Sequence, residues 1–421
     1  MKRHLGTGLS GLLFGAVLVL GGTGGAANAT DGYFQVGFGM RQSGMGGAGA
    51  ADSTDAMAQT LNPAGIVGIG DQWQVGAAAF MPFRGYEASG TGFVAGGTVD
   101  SMAEVFVMPN FGYVRQIDAE SAWGISVYGN GGMNTTYSAI PNATPGCTGG
   151  PNMPGVFCGG QAGVDLMQAF VSVDYARDLG AVKVGIAPTF AVQRFKAQGL
   201  SAFGITEDSY DYSFGGGLRG GIEWEAMPGL RFAVAGQTKM YMTKLDKYAG
   251  LFAEQGGFDI PGQITAGVAF DATPDLTLAF DYQRIFYSAV PSIANSSVPV
   301  APFGADNGPG FGWHDVDVFK IGAEWTASEQ LTLRAGYAYS DNPVQSGDVM
   351  LNILAPGVTQ HHITAGASYK MSEKNTLDVF GMYVPETKIS GPELNGGVPT
   401  GGAITLNMHQ ILFGFGLTRT Y

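Results

Sequence analysis

The segment Gly32–Gly65, GYFQVGFGMRQSGMGGAGAADSTDAMAQTLNPAG, decides how the rest of the chain is read. Glycine and alanine crowd its first half, so it has little apolar surface of its own to bury. Asp52-Ser53 is placed to cap a short helical turn running through Leu61. Pro63 ends that turn by pushing Asn62 out of the helical region. A compact stretch of small residues that is neither strand nor core needs a container, and the sequence around it predicts one.

Upstream lie Lys2-Arg3-His4, an apolar run from Leu9 to Leu20, and Ala27-Asn28-Ala29. These are the charged region, short apolar stretch and small-x-small site of a secretory signal peptide over residues 1–29. The run is too short to span a bilayer as a helix, and no cysteine follows the site to take a lipid. Cleavage leaves Thr30 first. The chain has net charge −13; losing Lys2 and Arg3, with no acidic residue before Thr30, gives −13 − 2 = −15. Such a chain repels nucleic acid. Charged residues make up only 13%, yet no later stretch reaches the ~18 apolar residues of a spanning helix. With 69 glycines, the apolar content is spread over many short segments, as in an exported transmembrane barrel.

Downstream, residues 71–421 alternate. Leu276, Leu278, Phe280 and Tyr282 fall on one face, and Thr277, Ala279, Asp281 and Gln283 on the other. Period-two alternation is the strand signal, which a soluble sandwich shares. Punctuation separates the two. Short polar turns near 118–120, 177–180, 227–229, 273–275, 328–329 and 372–374 alternate with long Gly/Pro/Asn-rich loops near 81–102, 129–162, 196–208, 244–257, 288–310, 341–356 and 389–402. Short turns on one side and long loops on the other predict an all-β, antiparallel transmembrane β-barrel. Six turns and two chain ends make seven hairpins, hence about 14 strands. Phe413, Phe415, Leu417 and Tyr421 give the last strand one apolar face with an aromatic end. Cys147 and Cys158, the only cysteines, share one polar loop and are expected to pair in an oxidising compartment. A metal site would need more soft ligands nearby.

A signal peptide, a glycine-rich segment containing Gly44-Met45-Gly46-Gly47-Ala48-Gly49-Ala50 and ending in Asn62-Pro63-Ala64, and about fourteen strands together resemble the FadL family of outer-membrane long-chain fatty-acid and hydrocarbon transporters. The resemblance covers essentially the whole mature chain. It implies a monomeric barrel in the outer membrane of a Gram-negative-type bacterium, closed by an N-terminal hatch over residues 30–70. It also implies capture of a hydrophobic molecule outside and delivery through a side opening. Outer-membrane lipid and detergent-like amphiphiles are the other expected partners. The family's outer capture groove belongs to loops late in the chain, whereas the longest loop read here is 129–162.

A side opening also has a physical reason: an apolar solute gains nothing from a water-filled pore. Two features predict where the wall breaks. Pro109 in strand two cannot donate a ladder hydrogen bond, and strand three breaks at Gly129-Asn130-Gly131-Gly132. Tyr33, Phe34, Val36, Phe38 and Met40 are the candidate ligand-binding residues, an apolar segment able to reach into the lumen. Asn62-Pro63-Ala64 is expected close to the break, with Asn62 satisfying backbone exposed there. No catalytic or metal-binding set is apparent. The histidines beyond the signal peptide, His314, His361, His362 and His409, have no nucleophile setting, and His361 and His362 face opposite sides of a strand. No cofactor is expected. Inward Arg219, Glu223, Arg231, Asp281, Lys320, Glu324 and Arg334 either line a porin-like pore or pair to knit a hatch to the wall. A porin-like or purely structural barrel without a hydrophobic ligand is the alternative reading.

Overall fold

The computed structural model describes residues 31–147 and 154–421. The expected signal peptide and Thr30 lie outside the described residues. Fourteen long strands follow one another: β1 (Gln72–Ser89), β2 (Phe106–Gln116), β3 (Ser121–Asn134), β4 (Gly163–Asp178), β5 (Lys183–Gln198), β6 (Asp211–Met227), β7 (Leu230–Gln237), β8 (Gln263–Thr273), β9 (Leu276–Ile285), β10 (Val316–Thr326), β11 (Leu331–Ser340), β12 (His361–Ser372), β13 (Asn375–Asn395) and β14 (Val398–Thr420). Each pairs antiparallel with its neighbours, and β14 pairs with β1 from Gln72↔Thr420 to Ser89↔Ala403, closing the barrel. Two short strands, Gly97–Asp100 on β1 and Tyr241–Met242 on β6, extend the rim.

Polarity is inverted relative to a water-soluble sheet. On β9, Phe280 is 44% exposed while its neighbour Asp281 is 1% exposed. On β14, Phe413 and Phe415 are 52% and 61% exposed, whereas Lys320 of β10 is buried. Apolar residues outside and charged residues inside are favourable only where the outer solvent is lipid. Among the described residues no helix is long and apolar enough to cross a membrane, which says nothing of crossing by strands.

All six predicted short turns connect consecutive strands. Three predicted loops need correction. The 81–102 loop begins only after Ser89, because Met81–Ser89 still pairs with β14. Strand three does not end at Gly129; it continues to Asn134 along β4, with a bulge between Gly129 and Gly131. The 389–402 loop is mostly strand, since β13 and β14 pair as far as Asn395↔Val398. Its many glycines and prolines suggested a loop. In the fold Gly391 sits so close to the Ser346 carbonyl that no side chain would fit.

Asp31–Val67 lies inside the barrel, almost entirely buried. Its helix is Met40–Gly44, and the predicted turn through Leu61 forms instead as two 3₁₀ turns, Ala58–Thr60 and Pro63–Ile66. Asp52 does not cap the first of these, whose N-cap is Met57; Asp55 braces the approach to it, accepting from the Met57 and Ala58 N–H groups at 2.9 Å. Asp52 is occupied by charge, as is much of this face. Arg41 bonds Asp52 and also Glu324 of β10, at 2.5 and 2.7 Å. Glu324 is shared with Arg334, and Asp52 with Arg231. Asp281 accepts the Gly49 and Ala50 N–H groups at 2.9 and 3.0 Å, and Lys320 donates to the Val36 carbonyl at 3.0 Å. Arg231, Asp281, Lys320 and Glu324 therefore bond the segment, with Arg334 joined through Glu324, whereas Glu223 pairs with Lys183 and Arg219 donates to Tyr128 within the wall. Burial alone would lower the Arg41 pKa, but the Glu324 and Asp52 carboxylates outweigh it and hold the guanidinium well above its ordinary value.

Candidate functional site

The ladder between β2 and β3 runs from Gln116↔Ala122 only to Asn110↔Tyr128. Beyond that point β2 continues through Pro109 to Phe106 paired with β1 alone. β3 continues from Gly129 to Asn134 paired with β4 alone. The two strands part at the residues expected from the sequence, Pro109 and Gly129-Asn130-Gly131-Gly132.

The freed edge of β3 is taken up by the inner segment. The Gln35 N–H donates to the Asn130 carbonyl at 3.3 Å, and Gln35 Nε2 to the Gly129 carbonyl at 2.7 Å. The Gly132 N–H donates to the Tyr33 carbonyl at 3.2 Å. A buried backbone group left unpaired costs about 1–3 kcal/mol, so these bonds make the break tolerable. Gly131 is required here because any side chain would collide with the Tyr33 carbonyl oxygen.

The expectation for Asn62 was different, and the structure corrects it. Asn62-Pro63-Ala64 rests on Gly185 of β5 and Gly221 of β6, where a side chain would strike Ala64 and Asn62. Gly185 is level with Ala176 and Ala122, near the short-turn end, well below the break. The Asn62 side chain accepts from the Ala64 N–H at 3.0 Å and donates to the Ala50 and Ile222 carbonyls at 3.0 and 3.4 Å. It closes a turn against the intact wall. The role assigned to it at the break belongs to Gln35, which the sequence reading passed over. Gln35 was legible as the one polar side chain in the otherwise apolar run Tyr33–Phe38.

The five candidate ligand-binding residues are all buried, in two groups. Tyr33 and Phe34 pack edge-on against Tyr287, with ring centroids 5.4 and 5.9 Å apart, and Tyr33 also approaches Trp313. Val36, Phe38 and Met40 line a cavity directly beside the break, together with Ala78, Met108, Pro109, Tyr128, Phe380, Met382 and Leu412 and with the polar side chains of Gln35, Ser43 and Asn110. Further out along the same strands a second cavity lies between Phe80, Met133, Met408, Trp313 and Ala355–Gly357. A third, among the long loops, is lined by Phe195, Leu200, Phe203, Leu251, Phe252, Phe303, Phe311, Leu351 and Leu354. Leu354 of the third cavity is followed in the chain by Ala355 of the second, and Gly129 of the first lies on the same strand as Gly132–Asn134 of the second. The volume open to the centre of a water-sized sphere is only about 20, 20 and 30 Å³, in that order from the break. That is room for a water or two. A hydrocarbon enters only if side chains move aside, and the flexible thioethers of Met40, Met108, Met382, Met133 and Met408 are suited to that.

Cys147 and Cys158 are joined by a disulfide, with Cα atoms 5.5 Å apart. Asn142 ties the same loop together, donating to the Phe93 and Gly155 carbonyls at 3.0 and 3.1 Å. Among the described residues no cluster of His, Cys, Asp or Glu is placed to hold a metal ion.

Residues 232–421 match the family described as outer membrane protein transport protein (OMPP1/FadL/TodX). No curated protein sequence matches the chain. Among solved structures, the Pseudomonas putida toluene transporter TodX superposes with a TM-score of 0.68 at 15% identity, over 92% of this chain and 99% of that one. A Pseudomonas aeruginosa FadL homologue gives 0.69 at 14% identity, with the same coverage. The Ralstonia pickettii toluene transporter TbuX gives 0.63 at 18%, again over 92% and 99%. Residues 232–421 thus match the OMPP1/FadL/TodX family by sequence, and the barrel as a whole shares the fold of these solved structures.

Proposed function

We propose that the chain takes up hydrophobic molecules, long-chain fatty acids or similar hydrocarbons, and releases them sideways through the wall between β2 and β3. The observation that carries this reading is a coincidence of three features at one place. The β2–β3 ladder stops, a cavity with a mainly apolar lining opens beside it, and Tyr33–Gln35 occupies the freed edge. The solute enters the loop cavity, passes the middle cavity, and reaches the cavity beneath the break without meeting bulk water. The inner segment acts as a hatch, closing the lumen to ions and polar solutes. The protein works as a monomer and needs no cofactor. Two of the solved structures it resembles are named as toluene transporters, which supports a hydrophobic substrate.

Replacing Gly129–Gly132 with Val-Thr-Val-Thr tests the exit. The branched residues favour a regular strand and deny Tyr33 its seat. A correctly inserted variant should lose uptake of a radiolabelled long-chain fatty acid. Uptake at the unmodified rate would refute lateral release here.

A further inference from the structure

The cavity beside the break contains a polar side chain with no bond of its own. Asn110, on the inner face of β2, is 8% exposed and forms the last rung of the β2–β3 ladder, opposite Tyr128. Its Oδ1 is buried without a hydrogen-bond partner among the described residues, and its Nδ2 donates to none of them. The amide lies over the β1 backbone at Gly76, where a side chain would meet both Asn110 Oδ1 and the Met40 methyl group. The other buried asparagines among the described residues, Asn62, Asn130, Asn134, Asn142 and Asn352, each make at least one side-chain hydrogen bond. The cavity's other polar side chains are engaged. Gln35 Nε2 donates to the Gly129 carbonyl, Ser43 Oγ donates to the Gly37 carbonyl at 3.3 Å, and the Tyr128 hydroxyl accepts from Arg219. Gln74 is unpartnered too, but it does not line this cavity.

Burying a carboxamide with nothing to bond is unfavourable. The group offers two donors and an acceptor. Among the described residues no Asp, Glu, Lys, Arg or His side chain lines the cavity, so an ionised ligand group would find no counter-charge there. The site therefore suits a neutral group, and the amide decides which. A hydroxyl can donate to Oδ1 and accept from Nδ2 together. An ether oxygen only accepts, which leaves Oδ1 unpaired, and an alkane satisfies neither atom. The rest of the wall, Val36, Phe38, Met40, Met108, Met382 and Leu412, suits an apolar chain.

We propose that the cavity beside the break binds the hydroxyl group of a neutral long-chain alcohol, and that Asn110 is the residue by which the exit prefers such a molecule to an ether or alkane of the same length. This rests on the uptake reading above and names the chemical group that the exit recognises. Asn110 stands at the last paired rung, so the hydroxyl is held where the wall begins to part and the chain lies along the methionines.

The test is equilibrium binding of 1-dodecanol, its methyl ether and dodecane to the purified full-length barrel in nanodiscs, each referenced to empty nanodiscs, for the unmodified protein and Asn110→Leu. Alongside, NMR magnetisation transfer is sought between the carbon-1 protons of labelled dodecanol and the Asn110 side-chain amide. The unmodified protein should bind the alcohol about tenfold tighter than the ether or the alkane, and the transfer should be seen. Asn110→Leu keeps a side chain of similar size, so it should bind all three alike and hold dodecane no more weakly than before. Equal binding of the three by the unmodified protein would overturn the role of Asn110 while leaving uptake of hydrophobic molecules standing. A hydroxyl preference that survives Asn110→Leu would overturn it too. Binding of none would overturn the uptake reading as well. If Asn110→Leu fails to insert, the magnetisation transfer in unmodified protein decides: its absence with dodecanol bound would place the hydroxyl elsewhere and refute the assignment.

Discussion

Arg41→Met removes the centre of the network that fixes the inner segment. Arg41 makes four charge-assisted bonds: to the Asp52 carboxylate and carbonyl at 2.5 and 2.6 Å, and to the two Glu324 oxygens at 2.7 and 3.2 Å. Deleting one partner of a buried pair costs about 3–5 kcal/mol, chiefly because the other charge is left uncompensated. Here each carboxylate keeps a second cation, Arg231 for Asp52 and Arg334 for Glu324. The cost should therefore fall at the low end, about 3 kcal/mol. With 1.36 kcal/mol per tenfold, the open population of the segment rises about a hundredfold. Amide hydrogen exchange reads this directly. The Ser43 and Gly47 amides, bonded to the Gly39 and Gln42 carbonyls, should exchange about a hundredfold faster. Amides in the β9–β10 ladder should not change. Unaltered exchange at Ser43 and Gly47 would refute the claim that this network anchors the segment.

Asn62→Ala leaves the Ala50 and Ile222 carbonyls and the Ala64 amide short of a partner; exchange at Ala64 should quicken, while the melting temperature of the barrel changes little. Gly131→Val forces Tyr33 off the β3 edge, so limited proteolysis should cut near residue 35 in the variant and not in the unmodified protein. Alkylation without reductant should modify neither Cys147 nor Cys158, and with reductant both. Labelling of both thiols in unreduced native protein would contradict the disulfide.

Much of this was legible because a barrel in lipid repeats one rule along every strand. Phe280 beside Asp281, and Phe319 beside Lys320, give the alternation, and short polar turns such as Thr273-Pro274-Asp275 give the count. The break was legible for a local reason: Pro109 lacks a donor and Gly129–Gly132 lacks side chains, each a property of the residue itself. What stayed hidden depends on contacts far apart in sequence. Nothing local at Asn62 says that it rests on Gly185 and Gly221, so its placement near the break was an inference from neighbours it does not have. Asp52 reads as a helix cap until Arg41 and the sequence-distant Arg231 claim its carboxylate. The β13–β14 hairpin reads as loop because glycine and proline lower strand propensity, which long-range pairing overrides.

The central claim is a continuous apolar route from the outer loops to the β2–β3 break. A fatty acid bearing a photoreactive diazirine in its tail, added from outside to barrel-containing outer membranes and flashed during uptake, marks that route residue by residue. Mass spectrometry should find cross-links at Phe203 or Phe303, at Met133 or Met408, and at Met108, Pro109 or Met382, with the last group appearing latest. Cross-links that bypass these and fall on Arg334, Ser368 and Asp378, around the cavity on the far side of the Arg41 network, would show passage through the hatch into the periplasm and contradict lateral release.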